Sequence, residues 1–337
     1  VAEIYYAVKA NPAAPVLQTL ATLGSNFDAA SLAEIDRCLA AGADASRIAF
    51  GNTIKKQSDI AAAFALGIRV FTFDCAEELE KLAIAAPGAS VICRIFVDND
   101  GARWPLGAKF GCAAGAASDL LVKAQGSGLA PLGVAFHVGS QQTDLASWDM
   151  AIGQAAMIFT ELRERGIELA TLNIGGGVPV AYAQEVPEEA AAITAIQQSL
   201  ARHFGNRMPA IMAEPGRCLA ATAGMVRSEV VLATQRDGQD VRWVYLDIGK
   251  FGGLAETIDE AIQYPIVTER DGGNPVPTVL AGPTCDGADV LYQIAGYQLP
   301  AELGAGDWVE FRHAGAYTAS YSSVGFNGFG PLKEYYL

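Results

Sequence analysis

Positive charge is scarce in this chain: 23 lysines and arginines stand against 37 aspartates and glutamates, a net charge of -14. A partner held through its phosphates needs clustered Lys and Arg, so nucleic acid and anionic membrane are excluded as expected partners, and a cationic substrate suits the balance better. Long apolar runs are missing too. None approaches the roughly 18 residues needed to cross a bilayer. The six cysteines, Cys38, Cys75, Cys93, Cys112, Cys218 and Cys285, include no Cys-x-x-Cys pair, and no histidine stands at zinc-ligand spacing from them. No metal site is therefore expected, and the cysteines read as reduced thiols of a cytoplasmic protein. Low-complexity tracts, internal repeats and flexible linkers are absent, which argues against a disordered or repetitive chain.

What remains is a chain of 337 residues, 51% hydrophobic, long enough for two domains or for a barrel with an appended module. Val1 opens directly into a strand-like segment, so the natural sequence is expected to continue upstream. Short β-branched or aromatic runs, IYYAVK, SNFDAA, RIAFG, RVFTFD, SVICRIF, GVAFHVG, TLNIGG and AIMAEPG, recur through the first two thirds. Helical periodicity lies between them, at residues 14–23, 31–41, 56–65, 76–85, 117–126 and 147–165. Eight such βα units predict a (β/α)8 barrel over residues 1–220, with an open doubly wound sheet as the rival. After Ala220 the character changes. EVVLATQR, VRWVYLDIG, PTVLAGPTC and DWVEFRHAG read as strands of a mostly β domain over residues 221–337, with a helix or turn around Ala255–Tyr264.

In a barrel the C-terminal ends of the strands converge on one mouth, so polar residues there meet although they are distant in sequence. These ends carry Lys9, Asp28, Asn52, Asp74, Arg94, His137, Gly175, Gly176 and Gly177, and Glu214 to Arg217. Alone, Lys9 is an ordinary surface lysine at a strand end. Ending an apolar strand ahead of Asn11 and Pro12, it is expected to be partly desolvated, which favours the neutral amine of Schiff-base chemistry. The glycine run follows the seventh strand and Pro215-Gly216-Arg217 follows the eighth, the two loops at which such barrels often bind phosphate. Either alone would more often be structural; together they favour a phosphate site. His203 and His313 read as satisfied core histidines, whereas His137 faces the mouth, where it could stack on a flat heterocycle. Glu214 could bond a ring nitrogen, though a structural salt bridge is as good a reading of that residue alone.

The motifs YYAVKAN, FHVGSQ, GGG, EPGR, GPTCDGAD and GAYTASYSSVGFNGF, in this order along essentially the whole chain, resemble the fold-type III pyridoxal-phosphate-dependent decarboxylases, which include ornithine, lysine, arginine and diaminopimelate decarboxylases. The resemblance implies an alanine-racemase-like barrel followed by a β-domain, a strand upstream of the barrel that is missing here, and a homodimer with shared active sites. It makes Lys9 the Schiff-base lysine. Asp28, Arg94, His137, Ser140, Gly176, Gly177, Glu214, Gly216, Arg217 and Tyr317 match cofactor-pocket positions. Glu214 would keep the pyridine nitrogen protonated and His137 would stack on the ring. Arg217, Ser140, the glycine amides and Tyr317 would hold the phosphate. Cys285 and Asp286 would reach the site from the partner subunit, Cys285 to protonate the carbon that carbon dioxide has left.

A distal ammonium on the substrate calls for a carboxylate, a distal carboxylate for an Arg. The motif CDGAD places Asp286 after the cysteine, where diaminopimelate enzymes typically carry Glu in a CESGD-like motif, and this favours a basic amino acid. A second acid is expected from Glu256, Asp259 or Glu260, and Tyr317 is a further expected substrate contact. WPLGAKFGC and LDIGKFGGLAETIDEAIQYP look closest to bacterial ornithine and lysine/ornithine enzymes. The expected reaction is L-ornithine to putrescine, in polyamine biosynthesis, with L-lysine as second substrate and arginine or diaminopimelate as alternatives. Three rivals are an alanine racemase, which lacks a CDGAD-type motif, a non-catalytic regulator of the antizyme-inhibitor kind, and a nucleotide-dependent enzyme. The last would place its glycine fingerprint at the first βα turn, not after the seventh strand.

Overall fold

The computed structural model describes residues 2–337. Eight parallel strands close into a barrel: β1 Ala2–Ala7, β2 Asn26–Ala29, β3 Ile48–Phe50, β4 Val70–Phe73, β5 Ser90–Arg94, β6 Ala130–Ala135, β7 Thr171–Asn173 and β8 Ala210–Ala213. Each falls within or beside one of the apolar runs read from the sequence. Parallel strands buried on both faces have no polar side to alternate with, and β2, β4 and β5 are accordingly buried over three consecutive residues each. Closure comes from β1, which pairs Ala7 with Asp28 of β2 and Ile4 with Ala213 of β8. Ala49, Ile92, Ala135 and Met212, from β3, β5, β6 and β8, pack together as a buried cluster.

The helices between the strands are α1 Ala14–Thr22, α2 Leu32–Ala40, α3 Gln57–Ala65, α4 Ala76–Ala85, α5 Ala114–Gly126, α6 Ala146–Glu164 and α7 Glu189–Phe204. Local chemistry sets their ends. Ser31 caps α2 by accepting from the Glu34 amide, while the Glu34 carboxylate accepts from the Ala30 amide, a reciprocal arrangement that satisfies two otherwise orphaned donors. Among the described residues, no helix is long and apolar enough to cross a membrane.

The chain divides into two compact units, one running to Pro179 and including Val186–Gly216, the other comprising Val180–Glu185 and Arg217–Leu337. By this division the first unit ends at Gly216, and a six-residue segment inside the barrel sequence counts with the second unit. There Ala183 donates its amide to the Gln263 carbonyl. The second unit is built on strands β9 Val226–Gln235, β10 Arg242–Leu246, β11 Ile266–Thr268, β12 Pro275–Ala281, β13 Val290–Tyr292, β14 Gln298–Pro300 and β15 Trp308–Phe311. They form one sheet in the order β11-β15-β9-β10-β12-β13, with β14 also paired to β12. Its core holds Val230, Val244, Leu246, Leu280, Tyr292 and Phe311. The helix or turn expected around Ala255–Tyr264 is a kinked 3-10 segment, Ala255–Glu260.

Candidate active site

At the C-terminal end of β1 the chain turns once, as a 3-10 segment Val8–Ala10, and this turn carries Lys9. Its Nζ lies 3.9 Å from Asp28 Oδ2, with the Lys9 side chain 49% exposed and that of Asp28 only 5%. The partial desolvation expected of Lys9 is met only to about half, its side chain being 49% exposed, because the strand ends at Ala7 and Lys9 falls in the turn beyond it. Asp28 is the desolvated partner. Its Oδ1 is buried without a hydrogen-bond partner among the described residues, and a Cβ on Gly51 would collide with that oxygen. Burial first, and then the neighbouring Glu214 carboxylate, push the Asp28 carboxyl up to about 8 against the opposing effect of Lys9.

Glu214 follows β8. Asn173, the last residue of β7, donates from Nδ2 to Glu214 Oε1 at 2.5 Å and accepts the Gly175 amide on Oδ1 at 2.9 Å. The Glu214 amide donates in turn to the Gly175 carbonyl at 2.7 Å. One amide side chain therefore fixes both the acid and the start of the glycine run. Asn173 was not among the expected site residues, although its signal, a polar residue two positions before the first glycine in TLNIGG, was there to find. His137 Nδ1 accepts the Gly139 amide at 3.0 Å, which leaves any ring proton on Nε2. His137 is partly buried, and loss of solvent, followed by Arg94 and Lys9, holds its pKa well below the usual histidine value.

Gly175 and Gly177 adopt φ of +64° and +104°, conformations that favour glycine. A Cβ on Gly176 would lie 2.6 Å from the Glu214 carbonyl oxygen and 3.4 Å from His137 Nε2. The run is thus bare backbone beside a neutral imidazole and a held carboxylate. Ser140 opens the strand Ser140–Gln142 of a small ribbon with Ala102–Trp104, and the Gln142 amide of that ribbon donates to the Gly177 carbonyl at 2.9 Å. Arg94 ends β5, Gly216 is buried after β8, and Asp74 Oδ2 accepts the Gly111 amide at 2.8 Å. An amine, an orphaned buried acid oxygen, a second acid and a side-chain-free amide run are the donor set that a phosphorylated pyridine aldehyde requires, and the residues fit that group.

The remaining expected residues belong to the second unit. Arg217 is buried and forms a two-pronged pair with Glu256, both bonds 2.6 Å long, while its Nη1 lies 3.1 Å from the Tyr182 hydroxyl. Its guanidinium carbon stands 4.8 Å from the Tyr317 ring centroid. Both oxygens of Glu256, an expected substrate contact, accept from Arg217 in this structure. Glu260 is also committed, accepting the amides of Gln293, Ile294 and Ala295 at 2.6 to 2.7 Å. Of these three acids Asp259 is the exposed one, at φ +53°. Cys285 and Asp286 are exposed on a loop anchored by buried Asp289, which accepts from Lys250 N and from both donors of Thr284. Cys285 donates from its amide to Asn327 Oδ1 at 3.3 Å. His203 and His313 are not core residues: His203 is exposed beside Asp149, and His313 is partly exposed beside the Ala181 carbonyl.

Residues 1–221 match the family described as "Pyridoxal-dependent decarboxylase, pyridoxal binding domain", and the chain belongs to that family. It is a pyridoxal-phosphate-dependent amino acid decarboxylase. The lysine/ornithine decarboxylase of Selenomonas ruminantium is 39% identical over 97% of this chain and 81% of its own. Antizyme inhibitor 2 of Xenopus laevis is 33% identical over 98% and 75% respectively. The crystal structure of the arginine decarboxylase of Paramecium bursaria Chlorella virus matches with a TM-score of 0.89 and 32% identity, covering 98% of this chain and 88% of that one.

Proposed function

We propose that this enzyme decarboxylates a basic L-amino acid, chiefly L-ornithine to putrescine with L-lysine as second substrate, in a homodimer whose subunits share their active sites. The observation that carries the reading is the barrel mouth, where the Lys9 amine stands 3.9 Å from Asp28 beside an acid held by Asn173. Bound there, pyridoxal phosphate supplies an electron sink for the pair left when carbon dioxide departs. Lys9 is the amine that holds the cofactor's aldehyde carbon. Glu214 Oε1, already oriented by Asn173, keeps the proton on the pyridine nitrogen, and neutral His137 covers the ring face without adding a competing positive charge. The amides of Gly176, Gly177 and Gly216, the Ser140 hydroxyl, Arg217 and Tyr317 bind the phosphate, while Arg94 and Asp28 complete the pocket.

Asp286 receives the distal ammonium of the substrate and Cys285 Sγ delivers a proton to the α-carbon. Both are exposed on one loop, as groups offered to a second subunit must be. Asp259 and Tyr317 are further candidate substrate contacts. The relatives named for lysine, ornithine and arginine act on amino acids with a distal cation, which supports this charge assignment. Ornithine and lysine differ by one methylene, worth only about 1–3 kcal/mol in a pocket, so activity on both is expected. Carbon dioxide release from L-ornithine, L-lysine, L-arginine and meso-diaminopimelate tests the reading. Preferential turnover of ornithine supports it; preference for diaminopimelate would reverse the role of Asp286, and a cofactor-loaded protein inert on all four would be a regulator or a racemase.

A further inference from the structure

Two thiols outside the proposed chemistry meet beside the strand end that carries Arg94. Cys93, the residue before Arg94 in β5, is fully buried. Cys112 is half-buried in the loop that precedes α5, and its Sγ lies 3.7 Å from that of Cys93. Both thiols are free. Cys112 is tied to the same strand end: its amide donates to the Arg94 carbonyl at 3.0 Å, its carbonyl accepts the Phe96 amide at 2.8 Å, and its Sγ lies 3.5 Å from the Arg94 carbonyl oxygen. The preceding residue, Gly111, is tied to Asp74.

We propose that Cys93 and Cys112 are a modification site, a disulfide made by hydrogen peroxide and reversed by a thiol reductant, whose formation loosens the Arg94 end of β5. The partly accessible Cys112 is the attacking sulfur, and its thiol is held below the ordinary cysteine value first by its hydrogen bond with Cys93, whereas that same bond and burial push Cys93 well above. The Cys112 thiolate attacks one peroxide oxygen, the O–O bond breaks, and the leaving hydroxide takes up a proton to give water and Cys112 sulfenic acid. Cys93 Sγ then attacks Cys112 Sγ: the S–S bond forms, the S–O bond breaks, and the departing hydroxide combines with the Cys93 proton as a second water. Two thiols are oxidised by two electrons and one peroxide is reduced. A disulfide needs its sulfurs about 2.05 Å apart, so they must close from 3.7 Å, and the backbone bonds from Cys112 to Arg94 and Phe96 transmit that movement.

The cross-link does not depend on the assigned role of Arg94, whereas its effect on cofactor retention does. The holoenzyme is treated with hydrogen peroxide, its remaining thiols are alkylated, and non-reducing peptide maps are read by mass spectrometry. A peptide joining Cys93 to Cys112, two hydrogens lighter and restored by dithiothreitol, is the expected result. Less pyridoxal phosphate should co-elute with the oxidised protein on gel filtration, and reduction should restore it. In Cys112→Ser, Cys93 stays fully alkylatable and retention becomes peroxide-insensitive; in Cys93→Ser, dimedone traps Cys112 as the sulfenic acid. Alkylation of both cysteines after treatment, or Cys112 sulfinic acid beside an alkylated Cys93, overturns the site. A cross-link with unchanged cofactor retention overturns the loosening. Exposed Cys285 is scored separately by its own peptide.

Discussion

Arg217 and Glu256 bind each other through two hydrogen bonds of 2.6 Å, with 4% and 3% of their side chains exposed. The geometry locks the guanidinium plane, which a single-point ammonium contact from a lysine would not do. Charge is thereby presented in one fixed orientation, and the phosphate proposed to meet Arg217 would gain more from a held plane than from a mobile one.

Glu256→Ala should cost about 3–5 kcal/mol of stability, the usual consequence of stranding one member of a buried ion pair. Glu256→Gln, which still accepts one bond, should cost less and should lower cofactor affinity more than it lowers the unfolding midpoint. Urea titration and pyridoxal phosphate titration of the apoprotein measure the two effects. If the alanine variant were as stable as the parent, the pair would have no such role.

How much of this was legible beforehand depended on the reach of the interactions. The barrel strands were readable because runs such as SVICRIF are apolar through consecutive residues, the local signature of burial on both faces. The strands Ile266–Thr268, Val290–Tyr292 and Gln298–Pro300 escaped notice because three residues carry no measurable period. Glu256, Asp259 and Glu260 could not be ranked, since their fates are decided by Arg217 far upstream and by the amides of residues 293–295 downstream. The exposure of Lys9 was hidden for a related reason: whether the residue after a strand is lifted or packed depends on the turn it enters.

Acid and alkali should act unequally on the Asp28 carboxyl. An unfolded aspartate titrates near about 3.9, but burial and Glu214 push Asp28 up to about 8 in the folded chain. Between those values the folded protein keeps a proton that the unfolded chain has released, so this group makes stability fall as pH rises. Asp28→Asn removes the titration. The variant apoprotein should gain on the parent by up to about 1.4 kcal/mol per pH unit across that window and lose the advantage near pH ~4. Parallel stability curves for the two proteins would mean that Asp28 is ionised like any surface acid.

Gly177 and Gly42 offer a matched pair. Both have positive φ, +104° and +94°, but a Cβ at Gly177 would strike the Gly139 carbonyl oxygen whereas one at Gly42 meets nothing within 4 Å. Each alanine variant should lose about 1–3 kcal/mol from backbone strain. Only Gly177→Ala should also weaken pyridoxal phosphate binding, because it displaces the amide run. Equal cofactor affinity in the two variants would remove the glycine run from the binding site.

Asp286 is the sharpest test of substrate class. Among the described residues its Oδ1 accepts the local Ala288 amide alone, at 2.9 Å, on an exposed loop, so the fold does not consume the charge as it consumes those of Glu256 and Glu260. A hydrogen bond to a charged group contributes about 1.5–3 kcal/mol, which corresponds to roughly 10- to 150-fold in affinity. Asp286→Ala should therefore raise KM for ornithine by that factor. Removing an exposed loop carboxylate should leave the unfolding midpoint unchanged, so the kinetic defect can be separated from a folding defect. Asp286→Glu, which restores the charge one methylene farther out, should recover part of the loss and shift preference toward the shorter of the two substrates. A normal KM in the alanine variant would place the recognition of the distal ammonium elsewhere, with Asp259 the next acid to replace.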